Sequence, residues 1–67
     1  MYKAKVKIFS VVRDGKCAVL ADEEFSCDGY SDAIKRAREL KDSCRGSGSS
    51  NLYIEGYPNQ NLRNKWF

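Results

Sequence analysis

The chain contains no histidine. That removes the side chain most often used as a general base near neutral pH, and the commonest nitrogen ligand for metals. Three cysteines are present, Cys17, Cys27 and Cys44, but they are widely spaced and form no CxxC pair. No zinc-ligand spacing results, and the thiols are expected as small buried or half-buried hydrophobes in a reducing compartment. Apolar runs are short, and none approaches the roughly 20 residues that cross a bilayer. The first residues alternate lysine with apolar side chains, so they do not read as a signal peptide, and the cytoplasm is the expected address. GxSxG, Walker and dinucleotide glycine motifs are missing too.

These absences leave little room for catalysis. Cys27 lies close to an expected helix start and is the one thiol with an argument for a lowered pKa; a half-buried residue at a strand end explains it without chemistry. Asp22, Glu23 and Glu24 alternate faces along a strand, and cross-strand lysines account for the first and third. The chain is therefore expected not to be an enzyme. No catalytic residue, cofactor site or metal site is assigned, and no membrane partner is expected.

What is present describes one small domain. Sixty-seven residues sit near the lower size limit for unaided folding. Apolar residues at 42% and charged residues at 31% fit a folded chain rather than a disordered one. The 12 basic and 9 acidic side chains give a net charge of +3, milder than a dedicated nucleic-acid module usually carries.

Tyr2, Ala4, Val6 and Ile8 alternate with Lys3, Lys5 and Lys7, the period-2 pattern of a half-buried strand. Asp14-Gly15 then signals a type I′ turn, which needs positive φ at both central positions. With Arg13 facing Lys16, the hairpin over residues 2–26 has a fixed register. Val12 then faces Cys17, Ser10 faces Val19, Ile8 faces Ala21 and Ala4 faces Phe25, all on the core side. Glu23, opposite Val6, is the misfit there and is read as a bulge or frayed strand. On the other face Lys7 meets Asp22 and Lys5 meets Glu24, which is electrostatically consistent. Toward the turn on that same face, Phe9 is expected to face Leu20 and Val11 to face Ala18.

After Gly29 the period changes. Tyr30, Ala33, Ile34, Ala37, Leu40 and Cys44 recur at helical spacing, predicting a helix over 30–45, with Asp28, Gly29 or Ser31 as candidates for its N-cap. Gly46-Ser47-Gly48-Ser49-Ser50 reads as a flexible loop. A strand follows over 51–57, with Leu52 and Ile54 inward and Tyr53 and Tyr57 outward. Residues 58–67 form either a short fourth strand or a covering tail. The expected fold is α+β, ββαβ(β): a three- to four-stranded, mainly antiparallel sheet in the order 2-1-3, with one helix packed on one face.

Three segments carry a resemblance. Asp14-Gly15-Lys16-Cys17-Ala18-Val19, the helical run from Ser31 to Leu40, and Leu52-Tyr53-Ile54-Glu55-Gly56 together resemble a family of small uncharacterised bacterial and prophage ββαβ domains. Cys17 stands where that family usually has a large aromatic. The resemblance implies the hairpin–helix–strand layout and a phage or mobile-element origin, and no activity.

Two surfaces compete for function. Phe9, Val11 and Leu20 are apolar on a face expected to be bare, and Tyr53, Tyr57 and Trp66 extend the set. That points to a protein-binding or self-associating surface unless the tail covers it. Alternatively, Lys3, Lys5 and Lys7 with Tyr53 resemble a basic, aromatic platform for nucleic acid. A non-catalytic module that binds an unidentified protein or pairs as a homodimer is the first expectation, and nucleic-acid binding the second.

Overall fold

A computed structural model describes residues 1–67. Six elements follow one another: strand β1 (Tyr2–Ser10), strand β2 (Val19–Cys27), helix α1 (Tyr30–Ser43), strand β3 (Ser47–Glu55), a single helical turn α2 (Gln60–Arg63) and strand β4 (Asn64–Trp66). The sheet is antiparallel throughout, in the order β2-β1-β3-β4. It is the expected α+β arrangement, with the fourth strand present at the far edge.

The period-2 pattern of β1 explains the layering. Ala4, Val6 and Ile8 point to one face and are fully buried or nearly so, together with Leu52 and Ile54 from β3. Helix α1 covers them with Ala33, Ile34 and Ala37. Ala33 and Ala37 on the helix and Ala4 on the sheet are fully buried in one cluster. Side chains this small let the helix lie close to the sheet, so a thin core still packs densely. Tyr2, Phe25, Leu40 and Tyr57 close the rim. Gly29 is the N-cap, in extended backbone, and no side chain caps the helix. Asp32 in the first turn accepts a bond from the Asp28 amide at 3.3 Å and suits the positive end of the helix dipole.

The hairpin turn forms as expected. Asp14 and Gly15 have φ of 55° and 73°, and Arg13 and Lys16 exchange both backbone bonds at 2.9 Å. Between turn and strand, however, the register slips. Ile8 pairs with Ala21, but Phe9 pairs with Val19, so Leu20 is the extra residue of a bulge. Ser10 closes the next rung: its amide donates to the Ala18 carbonyl and its Oγ accepts from the Ala18 amide, both at 2.8 Å. The expected pairs Phe9–Leu20, Ser10–Val19 and Val11–Ala18 are therefore displaced by the bulge, while Val12 and Cys17, next to the Arg13–Lys16 bridge, form no ladder pair. Glu23 pairs regularly with Val6 and marks neither a bulge nor fraying.

The Gly/Ser segment is not a flexible loop. Ser47 to Ser50 belong to β3 and run alongside β1, with the Val11 amide bonded to the Gly46 carbonyl at 2.8 Å. Gly48 is required by proximity, since a Cβ there would sit 3.0 Å from the Ser10 carbonyl oxygen and 3.1 Å from Val11 Cα. The ladder between β1 and β3 also shifts at this level. Both neighbours of β1 are thus irregular beside Phe9. At the other end β3 stops at Glu55, and the turn at Gly56 sends Tyr57 back over the rim.

Residues 64–67 complete the sheet. Phe67 exchanges backbone bonds with Ser50 at 2.8 and 3.0 Å, and its carbonyl accepts from Lys41 Nζ at 2.9 Å. Its ring packs on the helix side beneath that ammonium, while Trp66 emerges on the opposite face. No helix is long and apolar enough to cross a membrane.

Candidate interaction site

The face of the sheet away from α1 is open, and the odd residues of β1 place Lys3, Lys5, Lys7 and Phe9 along its middle. Register then sets their neighbours. Lys5 and Lys7 lie between Glu24 and Asp22 on β2 and Tyr53 and Asn51 on β3. Trp66 on β4 is level with Asn51. This face holds a shallow depression of about 500 Å³, walled by Phe9, Tyr53 and Trp66 and floored by Lys5 and Lys7.

Its electrostatics are balanced. Lys3 and Lys5 reach Glu24 at 3.8 and 4.0 Å, and Lys7 reaches Asp22 at 3.9 Å. The cross-strand pairing expected for Lys5 and Lys7 is therefore present. Each pair is about half exposed, so each adds at most about 1 kcal/mol to stability. Glu55 stands directly across from Lys3 on β3. Three lysines face three carboxylates, and the chain's net charge of +3 resides elsewhere on its surface.

The apolar end is not balanced by anything. Phe9 stacks against Trp66 with ring centroids 6.0 Å apart and planes at 28°. Trp66 covers Phe9 while remaining 59% exposed itself. Val11, Val12, Val19 and Leu20 crowd the same end and are 41–64% exposed. Residues 11–18 lie beyond β1 and β2, joined only by the Arg13–Lys16 bridge and the bonds of Ser10 and Val11, and none belongs to the core, so the hairpin tip projects beyond it. Phe67, the other residue available as cover, is committed to the helix side.

Of the candidate residues, the structure brings Phe9, Tyr53 and Trp66 into one depression. Leu20 and Val11 do not line it and are exposed in the adjoining hairpin, Leu20 next to Val19, the partner of Phe9. Tyr57 does not join them. The turn at Gly56 breaks the alternation that would have kept it outward, and its ring meets Tyr2 edge-on at 5.2 Å on the rim of the core. Lys3, Lys5, Lys7 and Tyr53 do share one face, as the nucleic-acid alternative requires, but with their charge neutralised.

Val12 and Val19 were expected in the core and are exposed instead: the bulge moves Val19 from Ser10 to Phe9 and so onto the open face, and Val12 lies in the hairpin beyond the end of β1. Asn51 and Asn64 had no sequence signal. They join β3 to β4 through a 2.7 Å side-chain bond on the open face.

The thiols offer no competing site. Cys27 is buried and Cys44 half-buried, as expected, whereas Cys17 is exposed beside the turn. The Cys27 pKa is raised, chiefly by burial and then by the Asp32 carboxylate, despite a hydrogen bond from the Gly29 backbone. Proximity to the helix start therefore does not lower it. No group of three or more acidic or cysteine side chains is arranged to hold a metal ion.

No protein-family model, curated protein or solved structure matches the chain.

Proposed function

We propose that this chain is a non-catalytic interaction module, acting in the cytoplasm, that binds another protein or a copy of itself through the apolar end of its open sheet face. One observation carries the reading. Phe9 stacks on Trp66, which is 59% exposed, and the other exposed large hydrophobics apart from Met1 flank Phe9 along the hairpin: Val19 is its pairing partner, Leu20 follows Val19, and Val11 and Val12 follow β1. A contiguous patch containing an exposed tryptophan has the character of a contact surface rather than of scattered apolar residues.

Magnitudes favour moderate affinity. Covering the remaining exposed half of five such side chains contributes about 5 kcal/mol, at roughly 1.5–3 kcal/mol for each full burial. Association costs of comparable size oppose it, so the bound state leans on polar complementarity around the patch. Nucleic acid ranks second because a lysine row already facing carboxylates has few counterions to release. The sequence resemblance adds a phage or mobile-element origin to the proposal.

The test uses the tagged full chain as bait in a host lysate, with and without nuclease, beside a Leu20→Asp variant shown to fold by circular dichroism. A discrete protein, or untagged copies of this chain, should be retained after nuclease with weak salt dependence. Leu20→Asp should abolish that capture. Capture that disappears with nuclease, or that survives Leu20→Asp, overturns the proposal.

A further inference from the structure

We propose that the occupant of the open face is a second copy of this chain, packed sheet against sheet about a two-fold axis that runs parallel to the strands above the β1–β3 seam. This rests on the interaction reading above and commits it to one partner. The register supports that axis, because it carries β1 of one copy over β3 of the other and β2 over β4. Each residue of β1 then meets the counterpart of its own β3 partner. Lys3 faces the partner's Glu55, Lys5 faces the partner's Tyr53 and Lys7 faces the partner's Asn51. On the outer strands Asp22 comes over the partner's Trp66, and Glu24 over the partner's Asn64.

No like charges meet in this stack. Lys3 gains a carboxylate and Lys5 an aromatic face. An axis parallel to the strands also keeps both hairpin ends together. Phe9, its strand partner Val19 and Trp66 of the two copies then form one shared apolar cluster, with the pairs of opposite charge beyond it. That is the layout of a contact with an apolar anchor and a polar surround. The aligned geometry is the ordinary one for two twisted sheets.

The long and middle dimensions of the molecule are 38 and 21 Å, which bounds one face at about 800 Å² per copy, so a dimer of standard size must use nearly all of it.

Other ways of self-pairing are disfavoured. Edge-to-edge pairing of β2 about a two-fold at its centre would set Glu23 against the partner's Glu23 and Asp22 against the partner's Glu24. Strand β4, the other edge, has only three residues. A face-to-face axis across the strands would press the Phe9–Trp66 end onto the Lys3–Glu55 end.

Charge reversal across the two-fold gives a direct test. Sedimentation equilibrium of the wild-type chain over a concentration series should show the mass rising from 7.6 kDa toward twice that value, with dissociation in the micromolar range. Lys3→Glu alone and Glu55→Lys alone should each weaken the dimer by about tenfold or more, because the symmetry places two like-charge contacts in either homodimer. Mixing the two variants should restore it, since both contacts in the mixed dimer again join opposite charges. The Lys3–Glu24 and Lys3–Glu55 neighbours within one chain cannot be restored by mixing, so recovery isolates the interface.

A wild-type mass that stays monomeric to millimolar concentration overturns the dimer. In that case capture of a different protein in a Leu20-dependent manner would still uphold the wider reading. A dimer indifferent to both reversals, or weakened by them and not recovered on mixing, overturns the geometry.

Discussion

Replacing Ser50 with alanine should stabilise the domain. Ser50 is fully buried on the helix side of β3, between Ile8 and Phe67. Its amide and carbonyl are both used in the exchange with Phe67, but its Oγ has no hydrogen-bond partner in the protein. A buried hydroxyl left unpaired costs about 1–3 kcal/mol in desolvation. Removing the oxygen sacrifices only a few dispersion contacts, at about 0.1–0.2 kcal/mol each. The net expectation is a gain of about 1 kcal/mol. For a domain this small, whose whole stability is of the order of 3–10 kcal/mol, that is a substantial fraction. Urea unfolding followed by circular dichroism should show a higher midpoint with unchanged slope, and Tm should rise by about 4–8 °C. Ser49→Ala, at the exposed neighbour, is the control and should change stability by less than about 0.5 kcal/mol. A loss of stability in Ser50→Ala, at constant slope, would refute the reasoning. It would mean that the hydroxyl is satisfied in solution.

Four further outcomes are expected. Gly48→Ala should destabilise by about 1–3 kcal/mol, because the backbone of Ser10 and Val11 stands where the new methyl must go; an unchanged thermal midpoint would show that the two strands can separate at no cost. Thiol labelling of the native chain should modify Cys17 first and Cys27 only on unfolding. Because the folded-state pKa of Cys27 is raised, stability should fall as pH rises through the thiol range, and Cys27→Ala should flatten that slope. Exchanging the cross-strand pair, Lys7→Asp with Asp22→Lys, should leave stability within about 0.5 kcal/mol of the original, while Lys7→Asp alone should cost up to about 1 kcal/mol. A double-mutant cycle in urea reads that coupling.

Legibility in the sequence followed the strength of local patterns. The alternation of β1, the Asp14-Gly15 turn and the helical spacing from Tyr30 to Cys44 each encode one structure, and all three formed where the pattern placed them. What escaped was set by contacts between distant segments. The bulge at Leu20 and the shift beside Phe9 arise where β1 must satisfy two neighbours at once, and no single strand carries that information. Ser47 to Ser50 have the composition of a linker. They are a strand because β1 presents a free edge to them, and Gly48 is small because that approach is tight. Tyr57 was lost to the candidate face through one turn at Gly56. The site was legible in the same measure. Phe9 and Tyr53 share a face through alternation alone, but Trp66 joins them only because β4 pairs with β3, and Val19 only because the bulge sets it opposite Phe9.

The place of β1 also bears on the order of events in folding. It comes first in the chain and lies in the middle of the sheet. One neighbour, β2, follows after a tight turn; the other, β3, arrives only once α1 has been laid down. A two-stranded hairpin by itself is marginal in water, and until α1 docks it presents Ala4, Val6 and Ile8 uncovered. The rate-limiting ensemble should therefore hold the hairpin with α1 upon it, the contacts nearest in sequence. Damage at the Asp14-Gly15 turn would then slow folding. Damage where β4 meets β3 would instead hasten unfolding, leaving the approach to the native state unaltered.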